Sequence, residues 1–270
     1  MTQTEIASNL ARIVKRKEKE LNRYLTQGVA EAYKRKAKPS EKSFYGAVQQ
    51  GGIIAEIKRT SPSNREKRNC DFREKVDPVE IAGEYESAGA CAISVLTDSG
   101  FKGNIYDLVK VAEVTSLPVL RKDFTIQESQ IYESRVYGAD AILLIANILE
   151  TQQMKEYIAI ADALGMDCLV ESHNEAELEK SIKAGARILG INNRDLTKKG
   201  FPTDIKTTID LLPYVRKNAP DAVVVAESGV ETYADIQKLK DHGVKTFLVG
   251  TTLMKADNIT ATLHALQGKN

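Results

Sequence analysis

The sequence predicts an α/β protein, a (β/α)8 TIM barrel preceded by an N-terminal helical extension. Three observations predict this fold. Eight short apolar runs recur along the 270 residues, amphipathic stretches separate them, and glycines end several of those stretches. Repetition of a strand–helix unit with right-handed crossovers closes into a barrel at eight units. The alternative is a doubly wound open sheet, which eight equal units without a second domain make less favourable.

Each apolar run is predicted to be a strand. The runs are nearly continuous in apolar character rather than alternating, as in strands of a parallel sheet that are buried on both faces. The eight predicted strands are residues 53–57, 92–96, 118–120, 141–145, 168–170, 188–191, 223–226 and 247–249.

The amphipathic stretches between the runs are predicted to be helices, at residues 78–87, 105–114, 129–137, 151–164, 175–184 and 233–240. A glycine stands shortly after five of these stretches and a few residues before the next predicted strand. These glycines are Gly89, Gly138, Gly165, Gly185 and Gly243. A left-handed residue at a helix C-terminus favours glycine because a Cβ would clash there. The repeating unit is therefore strand, loop, helix, glycine, strand.

Residues 1–48 lie outside the repeat and form the predicted extension, and residues 49–270 form the predicted barrel domain. Apolar residues at 6, 10, 13 and 14 have helical spacing, and they lie among basic residues from Lys15 to Arg23. One interpretation is a nucleic-acid or membrane-surface helix. Glu18 and Glu20 interleave with the lysines, however, which favours a helix packed on the barrel by its apolar edge, with its charges in solvent.

Composition excludes several classes of protein. The 38 basic and 37 acidic residues give a net charge of +1, without the basic excess typical of nucleic-acid binders. The longest apolar run is far shorter than the ~20 residues of a membrane span, and no secretory signal is visible. The three cysteines, Cys70, Cys91 and Cys168, are far apart and contain no CxxC pair. We expect a cytoplasmic protein with reduced thiols and no zinc site.

Charged residues stand at the ends of otherwise apolar strands. They are Glu56, Lys58, Lys122, Glu171 and Glu227. In a barrel the carboxyl ends of the strands meet at the catalytic mouth, and a buried charge needs a partner or a task. Three carboxylates and two ammonium groups together can supply general acids and bases. The structural alternative is a set of salt bridges at the rim of the barrel.

A phosphate site is predicted after strands seven and eight. Gly229 follows Glu227-Ser228, and Gly250-Thr251 follows the last strand. Residues without a Cβ let backbone N–H groups approach an anion, and the helix that begins near Thr232 adds its dipole.

No metal and no nucleotide cofactor are predicted. The three histidines share no metal-ligand spacing. His242 and His264 are assigned to outer helices and His173 follows the fifth strand, so we expect the histidines to form no site. The chain has no GxGxxG or Walker sequence.

These strand-end segments, in this order, resemble the indole-3-glycerol phosphate synthase family of tryptophan biosynthesis. The segments that carry the resemblance are IAEIK at 54–58, SPS at 61–63, SVLTD at 94–98, PVLRKDF at 118–124, ADAILLI at 139–145, LVE at 169–171, GINNRDL at 190–196, AESG at 226–229 and VG at 249–250. The resemblance covers nearly the whole chain. It implies a lyase that closes the pyrrole ring of 1-(2-carboxyphenylamino)-1-deoxyribulose 5-phosphate, with loss of carbon dioxide and water and without cofactor or metal.

The resemblance also implies residue roles. Lys122 would be the general acid at the substrate carbonyl, with Glu171 assisting later steps and Glu56 and Lys58 as a supporting pair. Further catalytic or substrate contacts would come from Ser61, Phe124, Leu143, Asn192, Arg194, Leu196, Glu227 and Ser228, with Phe124 and Leu143 walling the aromatic ring. Gly229, Gly250 and Thr251 would surround the phosphate.

Two departures from the family pattern stand out. A longer, charged loop at residues 64–71 precedes Asp77-Pro78, and Phe101 is a single aromatic where the family has two.

Two alternative functions stay open. One is an aldolase that uses Lys122 as a Schiff-base nucleophile, and the other is a non-catalytic phosphate-binding barrel. The isomerase of the same pathway is disfavoured, because that family has a Cys/Asp acid–base pair at strand ends and no cysteine stands suitably here. Oligomeric state is not fixed by the sequence, and a monomer is the working expectation.

Overall fold

The computed structural model of this chain describes residues 3–61, 72, 76–194 and 202–269, with side chains from Leu10 onward. Eight parallel strands form a closed barrel in sequence order, with the last strand paired to the first. The predicted (β/α)8 barrel is confirmed. Within the described residues, no helix is both long enough and apolar enough to cross a bilayer.

The strands lie where the apolar runs predicted them. They are β1 (Gly52–Ile57), β2 (Ala92–Leu96), β3 (Val119–Lys122), β4 (Ala141–Ile145), β5 (Asp167–Ser172), β6 (Ile188–Asn192), β7 (Val223–Glu227) and β8 (Thr246–Val249). Strands β2 and β4 match the predicted bounds. Strand β3 begins one residue after its predicted start and ends two residues after its predicted end. The other five extend past their predicted bounds by one or two residues at one or both ends.

Twelve α-helices lie in the described part of the chain. They are α1 (Gln3–Tyr24), α2 (Gln27–Lys36), α3 (Phe44–Gln50), α4 (Pro78–Ser87), α5 (Ile105–Val114), α6 (Ser129–Val136), α7 (Thr151–Ala163), α8 (Glu175–Lys183), α9 (Lys206–Asn218), α10 (Tyr233–Asp241), α11 (Thr251–Lys255) and α12 (Ile259–Gln267). The six predicted helices are confirmed to within one residue. Helix α9, which contains Pro213, and the last two helices were not predicted.

The five glycines predicted to end helices adopt left-handed backbone, with φ from 65° at Gly165 to 93° at Gly138. Free thiols are found at Cys91 and Cys168, whereas Cys70 lies outside the described residues. The glycine positions confirm the repeating unit inferred from the sequence.

Alternation along each strand separates two layers of side chains. Apolar residues such as Ile54, Leu120 and Leu169 point into the barrel, where they form one buried cluster with Phe44 and Val48 of α3. Their neighbours along each strand pack outward against the helices. Since side chains alternate with a period of two, the residues two positions after those inward-pointing ones also face the barrel axis. This register turns the charged strand ends toward the mouth.

The expectation that every charge of the first helix lies in solvent is wrong for Lys17. Its side chain is 2% exposed, and its Nζ lies 2.8 Å from Asp98 Oδ2 and 2.8 Å from Asp123 Oδ1. Arg16 also pairs with Asp98, at 2.6 Å. Burial alone lowers the pKa of Lys17, but the charges of Asp123 and Asp98 outweigh it and raise that pKa. Helix α1 is therefore attached by buried ion pairs to the segments that follow β2 and β3.

Replacement of Lys17 by methionine is expected to destabilise the fold by about 1.5–3 kcal/mol, because two buried carboxylates each lose a charged partner. Asp98 keeps its pair with Arg16, and Asp123 keeps its pair with Arg121. Urea unfolding of Lys17→Met measures the change. Lys19→Met, which removes an exposed lysine two residues further along the helix, is the matched control and is expected to change stability by less than about 0.5 kcal/mol. Equal stability of the two variants would show that the buried pairs contribute nothing.

Candidate active site

The carboxyl ends of the strands surround a cavity of about 420 Å³. Fourteen of the residues predicted from the sequence to form the site line it, and Leu196 lies outside the described residues. The fourteen are Glu56, Lys58, Ser61, Lys122, Phe124, Leu143, Glu171, Asn192, Arg194, Glu227, Ser228, Gly229, Gly250 and Thr251. The barrel thus brings together residues that are far apart in sequence.

The Lys122 ammonium group lies between two carboxylates. Its Nζ is 3.1 Å from Glu171 Oε2 and 3.3 Å from Glu227 Oε2. Burial by itself lowers the pKa of Lys122, but the charges of Glu171, Glu227 and Glu56 raise it above its ordinary value. The lysine therefore keeps its proton at any physiological pH until a reacting group takes it.

The two carboxylates beside Lys122 differ in protonation. Burial raises the pKa of Glu171, but Lys122, His173 and the amide of Asn192 outweigh it and lower that pKa to about 2. Burial, aided by the charge of Glu171, raises the pKa of Glu227 to about 7 despite Lys122. Near neutral pH, Glu171 is therefore ionised beside Lys122, whereas Glu227 can hold a proton. Such a pairing of environments is typical of acid–base sites.

A second ion pair stands at the end of β1. Lys58 Nζ lies 2.7 Å from Glu56 Oε1, and Ser94 Oγ donates to Glu56 Oε2 at 3.4 Å. Burial alone raises the pKa of Glu56, but Lys58 and Lys122 lower it overall. A Cβ on Gly250 would lie 2.5 Å from Glu56 Oε1 and 2.8 Å from Lys58 Nζ. Glycine at 250 therefore makes room for this ion pair.

Glycine is also required beneath Glu227. A Cβ on Gly190, in the neighbouring strand β6, would lie 2.1 Å from Glu227 Oε1. Asn192, two residues further along β6, donates from Nδ2 to Glu171 Oε1 at 3.0 Å and accepts the backbone N–H of Arg194 at 3.0 Å. Strand β6 thus positions both carboxylates that face Lys122.

One side of the cavity is apolar. Phe124 stacks on Phe101 with ring centroids 6.3 Å apart, and Leu143 lies in the same lining with Leu10 and Ile13 of helix α1. Neither residue of α1 was predicted to be in the site, because local periodicity shows only that the helix is amphipathic. The single aromatic Phe101, noted above as a departure from the family pattern, therefore has its stacking partner in Phe124.

The opposite side of the cavity is formed by the segments that follow β7 and β8, where the sequence predicts a phosphate site. Ser228 and Gly229 follow β7 with φ of 65° and 77°, and a left-handed non-glycine residue is sparsely populated and typical of functional sites. Helix α10 is capped by Thr232 in a capping box, and the short helix α11 begins at Thr251. Lys255, which was not predicted, also lines the cavity.

His173 corrects an expectation from the sequence. The histidines were expected to form no site, yet His173 lines the cavity beside Glu171. The strand alternation that turns Glu171 inward also turns inward the residue two positions later, and this signal was present in the sequence.

Among the described residues, no group of three His, Cys, Asp or Glu side chains is arranged to hold a metal ion.

A closed (β/α)8 barrel with acid–base groups at the carboxyl ends of its strands, in a cavity with one apolar wall, is the architecture of an enzyme that acts on a small molecule. The sequence profile of the indole-3-glycerol phosphate synthase family matches residues 10–266. The chain belongs to the indole-3-glycerol phosphate synthase family, whose activity is a decarboxylating, ring-closing step of tryptophan biosynthesis.

Individual relatives agree with this assignment. The chain is 43% identical over 250 residues to indole-3-glycerol phosphate synthase of Acetivibrio thermocellus, covering 91% of this chain and 92% of that protein. It is 50% identical over 218 residues to the enzyme of the same name from Caldanaerobacter subterraneus subsp. tengcongensis, covering 79% of this chain and 80% of that protein.

Solved structures of low identity share the fold. A 3-hexulose-6-phosphate synthase matches with a TM-score of 0.61 at 15% identity, covering 80% of this chain and 98% of that one. A chain of the tryptophan synthase complex from Pyrococcus furiosus matches with a TM-score of 0.60 at 16% identity, covering 81% of this chain and 98% of that one. At these identities the likeness supports the barrel alone.

Proposed function

We propose that this chain converts 1-(2-carboxyphenylamino)-1-deoxyribulose 5-phosphate to indole-3-glycerol phosphate, with loss of carbon dioxide and water. The observation that carries the proposal is the position of Lys122 between Glu171 and Glu227 in a cavity that also has an apolar wall. The segments that follow β7 and β8 form the proposed anion cradle of this cavity. The substrate has one aromatic end, one phosphate end and a ketone between them. The three parts of the cavity match the three parts of this substrate.

Lys122 is the proposed general acid of ring closure. The ring carbon that bears the carboxylate attacks the ketone carbon, and Lys122 donates a proton to the ketone oxygen as its negative charge develops. Loss of carbon dioxide returns the bonding electrons to the ring. The neighbouring Glu171 and Glu227 hold the ammonium group at the reacting centre, so the donor is positioned before the substrate binds.

Glu171 is the proposed base of the later steps. Loss of the hydroxyl group as water needs a proton on the leaving oxygen and removal of a proton from the ring nitrogen or carbon. The Glu171 carboxylate, whose pKa is lowered to about 2, is ionised before the reaction begins. Its basicity rises once Lys122 has given its proton to the ketone oxygen, because the positive charge that lowers this pKa is then gone. Glu227, whose pKa is raised to about 7, can hold a proton near the leaving oxygen. Lys58 and Glu56 support the sugar portion from β1.

The two ends of the substrate fix its orientation. Phe124 and Leu143 are proposed to hold the aromatic ring, with Leu10 and Ile13 on the same apolar side. Gly229, Gly250 and Thr251 are proposed to surround the phosphate, with Arg194 as a nearby cation and Ser61, Asn192 and Ser228 as polar contacts. Because the ends differ in chemistry, only one orientation brings the ketone to Lys122.

The direct test is a continuous assay of indole-ring formation from the carboxyphenylamino sugar phosphate, with purified protein in chelator-containing buffer. Formation of the indole absorbance and fluorescence at a rate proportional to protein concentration is expected. Absence of product from folded protein would contradict the proposal. We also propose that the protein works in the cytoplasm, binds no nucleic acid and is a monomer. Light scattering at assay concentration would test the oligomeric state.

Inorganic phosphate is expected to inhibit competitively against the substrate by occupying the cradle at Ser228–Gly229 and Gly250. Replacement of Gly229 by alanine is expected to raise the inhibition constant for phosphate and the KM together, by about 10- to 100-fold, because each lost hydrogen bond to a charged group costs ~1.5–3 kcal/mol. The added Cβ would lie 2.9 Å from Thr203 and the residue has φ of +77°, so the backbone must move.

Gly185→Ala is the matched control for this experiment. Gly185 follows helix α8, before β6, and has a similar φ of +89°. A Cβ added at this residue would meet no atom within 4 Å. It reproduces the cost of left-handed backbone without touching the cradle. An unchanged inhibition constant for phosphate in folded Gly229→Ala would place the phosphate elsewhere in the cavity.

A further inference from the structure

His173 makes two contacts with carboxylates. It stands just after β5, two residues beyond Glu171. Its Nδ1 lies 3.0 Å from Glu177 Oε2 and its Nε2 lies 3.5 Å from Glu171 Oε1. Nε2 is buried and has no hydrogen-bond partner among the described residues. The ring thus joins a carboxylate of helix α8 to one at the reacting centre.

The carboxylate of Glu177 is fixed by donors. It accepts the backbone N–H of His173 at 2.8 Å, the amide of Asn147 at 2.7 Å and the amide of Asn174 at 2.9 Å. Burial raises the pKa of Glu177, but these bonds and the His173 contact lower it overall. Glu177 is therefore an acceptor, and Nδ1 of His173 must be the donor between them.

With Nδ1 protonated, a neutral ring would direct the Nε2 lone pair at Glu171. Glu171 Oε1 is an ionised oxygen 3.5 Å away, so that tautomer sets a lone pair against a negative charge. A second proton, on Nε2, replaces this repulsion with an N–H aimed at the carboxylate. The geometry therefore favours the imidazolium form. Catalytic contacts are often long without substrate and shorten in the complex.

We propose that His173 is a positioning residue for Glu171: a charged imidazolium, held at Nδ1 by Glu177, that directs Nε2–H to Oε1 of Glu171 and keeps this base ionised and oriented. The inference rests on the role proposed above for Glu171. Lys122 holds the other oxygen, Oε2, at 3.1 Å, and Asn192 donates to Oε1 at 3.0 Å. The base is thus fixed from β3, β5 and β6 together.

The charge of His173 makes its positioning of Glu171 dependent on pH. The groups that face the ring are Glu171 on β5, Glu177 on α8 and Glu227 on β7; burial lowers the pKa of His173, but these three carboxylates raise it above 6.5. The imidazolium is fully present below pH 6.5 and is lost as pH rises through the raised value. We expect kcat to lose part of its value on the alkaline side for this reason.

Two substitutions of His173 distinguish a role in positioning Glu171 from a purely structural role of the histidine. Asparagine at 173 places an amide N–H where Nδ1 was, so the bond to Glu177 is retained, but it does not reach Glu171. Glutamine places an amide N–H where Nε2 was, without charge. Misplacement of a catalytic group lowers the rate of the chemical step more than substrate binding, and we expect His173→Asn to lose kcat on the order of tenfold with KM changed less than about threefold.

Glutamine is expected to recover part of that loss, and in both variants the alkaline decrease in kcat is expected to keep only the part that ionisation of Glu227 produces. His242→Asn, which replaces an exposed histidine at the end of α10, is the control and is expected to match the unmodified protein. If His173→Asn is folded and retains more than half of kcat, the proposal is wrong.

A second measurement does not need any variant to be active. The chain has three histidines, so a ¹⁵N–¹H titration resolves each imidazole, and the His173→Asn spectrum assigns the signal. The His173 pKa is expected above 6.5, falling in Glu171→Gln and in Glu177→Gln. A neutral His173 ring at pH 6 would overturn the proposal. Loss of the underlying function would appear differently, as absence of indole formation by the unmodified protein.

Discussion

Replacement of Lys122 by methionine is expected to remove turnover. Methionine retains the length and apolar body of the side chain but has no proton to donate to the ketone oxygen. General acids contribute about 10²–10⁴-fold, and kcat is expected to fall at least that far. Loss of the ammonium group leaves Glu171 and Glu227 beside each other without the cation that separates them, so these two carboxylates are expected to share a proton in the variant.

The measurement is steady-state kcat by the indole assay, with circular dichroism and thermal unfolding to show that the barrel is intact. Lys110→Met, which removes an exposed lysine from helix α5, is the control and is expected to leave kcat unchanged. A loss below tenfold in folded Lys122→Met would exclude Lys122 as the acid.

Borohydride separates acid catalysis from the Schiff-base alternative for Lys122. An aldolase-type amine forms an imine with the ketone, and reduction with borohydride then leaves a permanent adduct on the lysine. A raised pKa, caused by Glu171 and Glu227 against the effect of burial, disfavours the free amine that this chemistry requires. No substrate-dependent adduct is expected by mass spectrometry, and its appearance would favour the aldolase interpretation.

Replacement of Glu171 by glutamine is expected to lower kcat about 100-fold and to change KM little, because a group that moves protons acts mainly in the transition state. Glutamine keeps the shape of the side chain and can still accept the amide of Asn192. It also removes the negative charge that helps to raise the pKa of Glu227 to about 7. That pKa is therefore expected to fall, and any inflection it produces in the pH profile moves to lower pH.

Glu179→Gln is the control for this variant, since Glu179 lies on the exposed side of α8 with 51% of its side chain accessible. The comparison separates loss of a carboxylate in general from loss of this one. A change confined to KM would make Glu171 a binding residue and would remove the proposed proton transfer.

The strands and their charged ends could be predicted because the causes are local. Continuous apolar runs identify strands buried on both faces, and a lysine or glutamate at the end of such a run has few explanations other than a functional mouth. Strand alternation then places Lys122, Glu171 and Glu227 on the barrel axis. None of this requires knowledge of which strands are neighbours in space.

What could not be predicted depends on distant partners. Lys17 has the same local surroundings as exposed lysines in its helix, and its burial is decided by Asp98 and Asp123, which are far away in sequence. The role of Gly190 depends on the side chain of Glu227 in the next strand. Division of the chain at residue 48 stays a prediction, and helix α3, from Phe44 to Gln50, spans that point.

The buried attachment of helix α1 limits how this protein can be recombined with its relatives. Asp98 and Asp123 are each less than 3% exposed on their side chains, and Lys17 contacts both. A chimera that joined this barrel to a foreign leading segment would keep both carboxylates and lose Lys17, the cation that they share. Asp123 is the immediate neighbour of Lys122, so the mismatch would fall beside the acid. The lysine and the two aspartates are therefore a set that must be inherited together, and a swap of segments between homologues has to carry all three.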